Sequence, residues 1–313
     1  MTYDAHTGPE LSPVLPIALI GFGEAGQAFA KGWRSEHAGL DIRAYDIKTR
    51  DAASARTKWD DYAGAQITGC ATLGDALDGA GAVFSLVTAD QAHLAAHEAA
   101  GLLHQGALFF DGNSCAPGTK RASGESVETA GARYVDMAVM APVHPKLHKV
   151  PLLVSGQHVK AALPALAALG MQARLVPGAV GRASSIKMMR SVMIKGLEAL
   201  ALECILSARK AGVDQEILES LGGSFPGFDW PAKMAYDFER STTHGVRRAA
   251  EMREVAKTVE ELGLMNGMSR AIVDWQQAVG DLHLPAGEPE LGTRADAILT
   301  ALGLLDTKEE KDN

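Results

Sequence analysis

The sequence has little cysteine: three residues in a chain of 313, Cys70, Cys115 and Cys204, and they lie far apart. Disulfide-stabilised secreted domains are much richer in cysteine, and structural zinc sites usually contain a Cys-x-x-Cys pair, which is missing. The ten histidines show no metal-ligand spacing. The sequence therefore predicts a reduced, cytoplasmic protein without a metal site.

Long apolar runs are also missing, since no stretch approaches the ~20 residues that a membrane-spanning helix needs. Residues 1–13, MTYDAHTGPELSP, have neither the basic segment nor the apolar core of a signal peptide. The net charge of −8 excludes a general nucleic-acid-binding surface. We therefore predict no membrane and no nucleic-acid partner, a loose leader over 1–13 and a charged tail over 306–313.

The first half of the chain alternates short apolar runs with Ala-rich helical segments. This alternation is typical of βαβ units and a parallel sheet. The second half contains no convincing strand. We predict an α/β fold: a doubly wound Rossmann domain over 14–180, then an all-helical domain over 181–305, joined by a long helix. Strands are predicted at 14–20, 40–45, 82–87, 107–111, 133–136 and 152–155, helices at 25–35, 92–103 and 159–169, and breaks in the helical half at 222–226, 263–267 and 285–292.

A glycine-rich motif directly follows the first predicted strand. In such a turn the first glycine permits a tight bend, the second lets backbone N–H groups approach a pyrophosphate, and the third allows close helix–strand packing. The next strand ends in Asp46, where a carboxylate binds ribose hydroxyls. The third predicted strand, 82–87, ends at the same sheet edge, and Thr88 follows it. We predict dinucleotide binding by Gly21, Phe22, Gly23, Glu24, Ala25, Gly26, Asp46, Val87 and Thr88.

Asp46 also predicts which nicotinamide cofactor is preferred. A carboxylate at this position repels a 2′-phosphate, which favours NAD over NADP. Lys48 and Arg50 follow closely and would soften this preference if they faced the cofactor, although a solvated loop is the simpler interpretation. We therefore predict NAD, with NADP as the alternative.

A polar loop of small residues, DGNSCAP at 111–117, follows the predicted strand 107–111. Asn113 and Ser114 offer hydrogen-bond donors and acceptors at the sheet edge that would hold the cofactor. A local Asx or Ser turn before a helix is the alternative interpretation. Cys115 is interpreted as a small filler, because no base is identifiable near it in the sequence.

A long helix is predicted from Ser184 to Ala211 and ends at Gly212. Its polar residues Lys187, Ser191, Lys195 and Glu198 recur at steps of four, four and three, and so share one face. Lys187 falls in the first turn, where the helix dipole disfavours a positive charge and favours proton exchange. The alternative is a solvated polar stripe opposite a Leu/Met core stripe.

Four motifs, in this order, are similar to those of the β-hydroxyacid dehydrogenases, which include 3-hydroxyisobutyrate and 6-phosphogluconate dehydrogenases. The resemblance extends over nearly all of the chain from Val14 to Gly303. The helical half resembles a branch of uncharacterised proteins with a phosphogluconate-dehydrogenase-like C-terminal domain. The motifs are GFGEAG at 21–26, DGNSCAP at 111–117, VDMAVMAPV at 135–143 and GRASSIKMMRS at 181–191.

The resemblance implies an NAD(P)-dependent dehydrogenase that acts on a small, acidic β-hydroxy substrate. It implies that Lys187 is the catalytic acid/base, which takes the hydroxyl proton, and that Asn113 and Ser114 hold the substrate. It also implies an intertwined homodimer. Ser191 stands where the family usually has asparagine, and is expected to bind substrate through its shorter side chain.

Other positions depart from the family pattern. His144-Pro145-Lys146 follows Ala-Pro-Val where the family has Ser-Gly-Gly. Ile194 stands at the glutamate that protonates the enol in phosphogluconate dehydrogenases, which argues against decarboxylation by that route. Lys195 falls where those enzymes contact phosphate, so we predict that it binds an anionic group of the substrate.

The densest charged cluster of the helical half contains His244, Arg248 and Glu251, which share a helix face. We predict that His244 and Arg248 bind the anionic substrate, and leave open an interhelical salt-bridge network. Three other functions remain as alternatives: an imine reductase, in which this lysine is usually replaced; a methyltransferase; and a non-catalytic cofactor-binding protein on the same fold.

Overall fold

The computed structural model describes residues 16–305, so the predicted leader (1–13) and tail (306–313) lie outside the described residues. By its internal contacts the chain divides into two compact units, Met1–Lys187 and Met188–Asn313. Within the described part, no helix combines the length and the apolar character needed to cross a membrane.

The first unit is built on an eight-stranded sheet. Its strands are β1 (Ile17–Ile20), β2 (Ile42–Tyr45), β3 (Thr68–Gly69), β4 (Ala82–Ser85), β5 (Leu108–Asp111), β6 (Arg133–Val139), β7 (Leu152–Ser155) and β8 (Ala173–Leu175). Their order across the sheet is β3-β2-β1-β4-β5-β6-β7-β8. From β1 the chain first extends the sheet on one side, to β2 and β3, and then returns to the other side of β1 to form β4. This is the doubly wound arrangement, in which the loops after β1 and β4 lie side by side.

One strand pair departs from the predicted parallel sheet: β6 and β7 are antiparallel, whereas every other neighbouring pair of described strands is parallel. Parallel strands need a long crossover, usually an α-helix. The connection from β6 to β7 contains only a 3₁₀ turn, Leu147–Lys149, and the chain therefore turns back on itself.

Among the described residues of this unit, six helices cover the two faces of the sheet: α1 (Glu24–Glu36), α2 (Ala55–Gly64), α3 (Leu73–Leu77), α4 (Ala92–Ala100), α5 (Pro117–Thr129) and α6 (Val159–Ala168). Because successive strand residues point to opposite faces, β1 contributes to two separate cores. Leu19 packs in the core that contains Trp33 of α1, and Ile20 packs in the core that contains Ala96 of α4.

The long helix α7 runs from Arg182 to Ala211, close to the predicted 184–211. It ends at Gly212, whose positive φ of 72° suits glycine at a helix C-terminus. The division between the two units falls within α7. Up to residue 305, where the described part ends, four more helices follow it: α8 (Asp214–Ser224), α9 (Trp230–Glu261), α10 (Gly267–Gly280) and α11 (Leu291–Ala301). The fold is thus the predicted one, a Rossmann-type sheet unit followed by a helical unit.

Candidate functional site

In the glycine-rich turn between β1 and α1, Gly21 and Gly26 are packed against backbone, whereas Gly23 faces open space. Gly21 has a positive φ of 88°, and a Cβ there would lie 2.7 Å from the Leu86 carbonyl oxygen. A Cβ on Gly26 would lie 2.7 Å from the carbonyl oxygen of Gly21. A Cβ on Gly23, in contrast, would meet no protein atom within 4 Å. The turn is therefore tightly packed beneath and open above Gly23, as a phosphate cradle requires.

Two charged side chains hold this turn in place. Asp46, at the end of β2, accepts a hydrogen bond from the Phe22 N–H through Oδ2 at 2.8 Å and from the Lys48 N–H through Oδ1 at 3.0 Å. Lys58 of α2 is almost fully buried and donates to the Phe22 carbonyl oxygen at 2.8 Å and to Asp61 at 2.7 Å. Both peptide groups of Phe22 are therefore fixed, although only Asp46 was predicted at this site.

The described residues fit a bound dinucleotide. Gly23 is the N-cap residue of α1, and no side-chain hydrogen bond caps this helix N-terminus. The first N–H groups of a helix lack intrahelical partners, and the helix dipole there favours anions. The open space above Gly23 leaves room for a pyrophosphate at this helix N-terminus. Val87 lies beside the turn, since its Cγ1 is 2.9 Å from where a Gly21 Cβ would be, and Thr88 is exposed next to it.

Asn113 connects the ends of two neighbouring strands. Its Oδ1 accepts from the Val87 N–H at 2.7 Å, and its Nδ2 donates to Ser85 Oγ at 3.0 Å. Its own N–H donates to Asp111 Oδ1 at 3.0 Å, which makes the Asx turn that the DGNS sequence favours. Asn113 is only 3% exposed. Its side chain thus fixes the loop that carries Ser114, and a contact with substrate stays a prediction.

The structure brings Ser114 and Lys187 together, although they are far apart in the chain. Lys187 Nζ donates a hydrogen bond to Ser114 Oγ at 2.6 Å. Both side chains are half-buried. Ser114 lies in the loop after β5. Lys187 lies in the second turn of α7 and not in the predicted first turn, because the helix begins at Arg182 rather than Ser184. An amine and a hydroxyl held at this distance can share or pass a proton, and both lie in the same unit as the glycine-rich turn.

Beneath this pair lies a fully buried network of charges that the sequence analysis missed. Lys120 of α5 donates to Asp111 Oδ1 at 2.9 Å and lies 3.6 Å from Asp136 Oδ1, and all three side chains are 0% exposed. Tyr134 donates its hydroxyl hydrogen to Asp111 Oδ2 at 2.6 Å. Burial alone lowers the pKa of Lys120, but the carboxylates outweigh it and the net shift is upward. Burial, followed by the Asp111 charge, raises the pKa of Tyr134.

The polar face of α7 is buried in the helical unit, which is the reverse of the solvated stripe that we considered as the alternative. Ser191, Lys195 and Glu198 are each less than 10% exposed. Lys195 Nζ lies 2.8 Å from Glu251 Oε2 and donates to Ser191 Oγ at 3.4 Å. Another face of α7 exposes five apolar side chains, Met189, Met193, Ile194, Leu197 and Leu200, whereas Met188, Leu202, Ile205 and Leu206 of the same helix are buried.

The charged cluster on α9 forms ion pairs between helices. Arg248 makes a bidentate pair with Glu198 of α7, and Gln276 of α10 donates to the same carboxylate at 3.0 Å. This is the interhelical network that we left open as the alternative for Arg248. His244 is half-buried one turn earlier on α9. Substrate binding by Ser191, Lys195, His244 and Arg248 stays a prediction.

Comparison with known proteins agrees with this geometry. Residues 16–178 match the NAD binding domain of 6-phosphogluconate dehydrogenase, and residues 208–279 match a domain of unknown function, DUF1932. A curated relative, an uncharacterized 28.5 kDa protein from Methanothermus fervidus, is 30% identical over 114 residues. That match spans 43% of the relative's length, less than half.

Solved structures resemble the whole chain. A conserved hypothetical protein from Sinorhizobium meliloti is 37% identical with a TM-score of 0.70, covering 93% of this chain and 96% of that one. A conserved protein of unknown function with structural similarity to 3-hydroxyacid dehydrogenases is 26% identical with a TM-score of 0.64, covering 88% and 100%. A 3-hydroxyisobutyrate dehydrogenase from Mycobacterium tuberculosis, solved with L-serine, is 16% identical with a TM-score of 0.68, covering 91% and 99%.

The glycine-rich turn on a doubly wound sheet, followed by a helical unit, defines the class of nicotinamide-cofactor-binding proteins with a 3-hydroxyacid-dehydrogenase-like fold. The chain belongs to the family of proteins that carry the NAD binding domain of 6-phosphogluconate dehydrogenase.

Proposed function

We propose that the protein interconverts a small, acidic β-hydroxy substrate and its carbonyl form with NAD(P), and that Lys187 is the general acid/base. The observation that carries the proposal is the 2.6 Å hydrogen bond from Lys187 Nζ to Ser114 Oγ. Ser114 follows β5 at the sheet edge that also carries the glycine-rich turn after β1. Ligands of doubly wound sheets bind at this edge, beyond the carboxyl ends of the strands.

Ser114 and Lys187 have different roles in this reaction. Ser114 Oγ hydrogen-bonds the substrate and orients its hydroxyl group toward Lys187. Lys187, as the neutral amine, takes the hydroxyl proton during oxidation and returns it during reduction. The nicotinamide, when bound, supplies the hydride acceptor or donor. Asn113 keeps the Ser114 loop at the strand ends through its bonds to Val87 and Ser85.

The chemistry of one structural neighbour supports this substrate class. The Mycobacterium tuberculosis dehydrogenase was solved with L-serine, which is itself a β-hydroxy acid. Ser191, Lys195, His244 and Arg248 are proposed to contact the acidic part of the substrate. Lys195 already pairs with Glu251, and Arg248 with Glu198. Each therefore contributes less to anion binding than a cationic side chain that has no carboxylate beside it.

An imine reductase is the second candidate, because a reductive aminase from Aspergillus terreus, solved with NADPH4, cyclohexanone and allyl amine, shares the fold at 16% identity and a TM-score of 0.53. Lys187 argues against it, since imine reductases usually replace this lysine. The two candidates are separated by following absorbance at 340 nm with each cofactor. One arm contains 3-hydroxyisobutyrate, L-serine and phosphorylated β-hydroxy acids, and the other contains cyclohexanone with allyl amine. Turnover in the second arm alone would contradict the proposal.

We propose a preference for NAD, set by Asp46. Asp46→Asn keeps an acceptor for the Phe22 N–H but removes the charge that repels a 2′-phosphate. We expect it to raise the affinity for NADPH relative to NADH by about tenfold. The matched control is Asp51→Asn, on the exposed end of the same loop. Fluorescence titration measures both affinities. If the wild type already binds NADPH more tightly, Lys48 and Arg50 outweigh Asp46 and the preference is wrong.

We also propose a homodimer that covers the apolar face of α7. Met193 is 63% exposed and Leu200 is 53% exposed in the single chain, and a contiguous apolar stripe of this kind is typical of an interaction surface. Leu200→Glu should convert the dimer to monomer, because it places a charge in that interface. Sedimentation velocity is the measurement, and Lys160→Glu, at an exposed position of α6, is the control. A monomeric wild type would contradict the proposal.

A further inference from the structure

Asp136, at the middle of β6, caps the start of α7 from another element. Its Oδ2 accepts from the Gly181 N–H at 3.0 Å and from the Ser184 N–H at 3.1 Å. Its Oδ1 accepts from Ser184 Oγ at 2.5 Å. A carboxylate in this position satisfies helix N-terminal donors and interacts favourably with the helix dipole. Asp136 therefore helps to fix the first turn of α7 to the sheet.

The same carboxylate is tied to the Ser114 loop through Lys120. Lys120 Nζ lies 3.6 Å from Asp136 Oδ1 and donates to the side chain of Asp111 at 2.9 Å. It also donates to the Asp111 backbone carbonyl at 2.5 Å. Asp111 begins the loop that leads through Asn113 to Ser114. One buried network thus holds the elements that carry both members of the Lys187–Ser114 pair.

We propose that Asp136 is a positioning residue, which acts with Lys120 to place Lys187 Nζ on Ser114 Oγ. This inference rests on the proposed function, because it assigns a purpose to the alignment of that pair. Ser184, which Asp136 holds, lies three residues before Lys187 on the same helix. A rotation of this turn would move Nζ away from the serine. Misplacement of a catalytic group by about 1 Å costs on the order of 100-fold in rate.

Stability alone is a poor reason for such a network. Three charges with no exposure carry a large desolvation cost, and well-packed apolar residues of similar volume are often equally or more stable. A complete buried network does provide a single geometry, because every partial alternative leaves a polar group unpaired. Ser155 completes this one: its hydroxyl donates to Asp136 at 3.0 Å and accepts from the Ala183 N–H at 2.9 Å.

Two neighbouring serines in the first turn of α7 provide a matched pair of variants. Ser184→Ala removes the hydroxyl bond to Asp136 and leaves the charges of the network unchanged. Ser185→Ala is the control, because Ser185 Oγ donates only locally, to the Gly181 carbonyl at 2.8 Å. Ser184→Thr restores the hydroxyl and is the rescue variant. Asp136→Asn weakens the cap directly and is the second test, should the first be too mild.

The first readout needs no substrate. Trace acetylation with acetic anhydride, followed by mass spectrometry, compares the reactivity of Lys187 with that of Lys160, an exposed lysine on α6 in the same molecule. In Ser184→Ala and Asp136→Asn, Lys187 should be released from Ser114 and become more like an exposed lysine. The ratio of Lys187 to Lys160 reactivity should therefore rise about threefold or more. Ser185→Ala and Ser184→Thr should match the wild type.

The second readout is turnover of a β-hydroxy acid identified at 340 nm. We expect Ser184→Ala to lower kcat on the order of tenfold while the affinity for NADH stays unchanged. An unchanged acetylation ratio in both Ser184→Ala and Asp136→Asn would overturn the inference, as would an equal change in Ser185→Ala. If no β-hydroxy acid is turned over, the proposed function fails, while the acetylation ratio still reports whether Asp136 positions Lys187.

Discussion

Replacement of Lys187 by alanine should lower kcat by about 10²–10⁴-fold, the usual contribution of a positioned general acid/base. The variant lacks the amine that hydrogen-bonds Ser114, and the substrate hydroxyl therefore has no proton acceptor at this position. The affinity for NADH should be nearly unchanged, because the glycine-rich turn and Asp46 are held by Lys58 and by backbone groups rather than by Lys187.

Steady-state kinetics on the best β-hydroxy acid, together with NADH titration, test this expectation. Lys160→Ala is the matched control, since it removes an exposed lysine from α6 of the same unit. A Lys187→Ala variant that keeps most of its activity would show that another group moves the proton. Equal loss of NADH affinity and of activity would instead show that the substitution disturbs the unit as a whole.

Replacement of Lys120 by methionine should destabilise the protein by about 3–5 kcal/mol, the cost of removing one partner from a buried ion pair. Asp111 and Asp136 would be left facing each other without a cation. The pKa of Lys120 is raised in the folded state. A raised pKa contributes stability that is fully present below the unfolded value of ~10.4 and is lost only as pH rises through the folded pKa.

Urea denaturation at pH 7 measures this effect directly, because the whole contribution of Lys120 is present at that pH. Lys160→Met is the control, and exposed substitutions of this kind usually stay within about 0.5 kcal/mol of the wild type. A loss below about 1 kcal/mol for Lys120→Met would mean that water or a rearranged carboxylate replaces the lysine, and that the network is weaker than its geometry suggests.

The parts of the site that lie close together in sequence could be predicted from it. The turn from Gly21 to Gly26 follows a strand and opens a helix, and Asp46 ends the next strand, so local order alone brings them to one sheet edge. Lys187 and Ser114 are different. Their pairing follows from tertiary packing, and the sequence suggested it only through the resemblance to the β-hydroxyacid dehydrogenases.

Other features depend on burial, which residue type predicts poorly for charged side chains. The sequence predicts that Lys120 is an ordinary surface residue of a polar helix, yet it is 0% exposed and pairs with carboxylates from strands β5 and β6. The face of α7 that carries Lys195 and Glu198 is buried by partners on α9 and α10, while Leu200 is exposed. The short strands β3 and β8 were missed because each has only two or three residues.

The most direct test of the central claim is equilibrium titration of the purified protein with NADH, NADPH and S-adenosylmethionine side by side. We expect saturable binding of NADH, weaker binding of NADPH, and no binding of S-adenosylmethionine. Substitution of Gly26 by valine should abolish NADH binding, because any Cβ there would lie 2.7 Å from the Gly21 carbonyl oxygen. Failure to bind either nicotinamide cofactor would contradict the account.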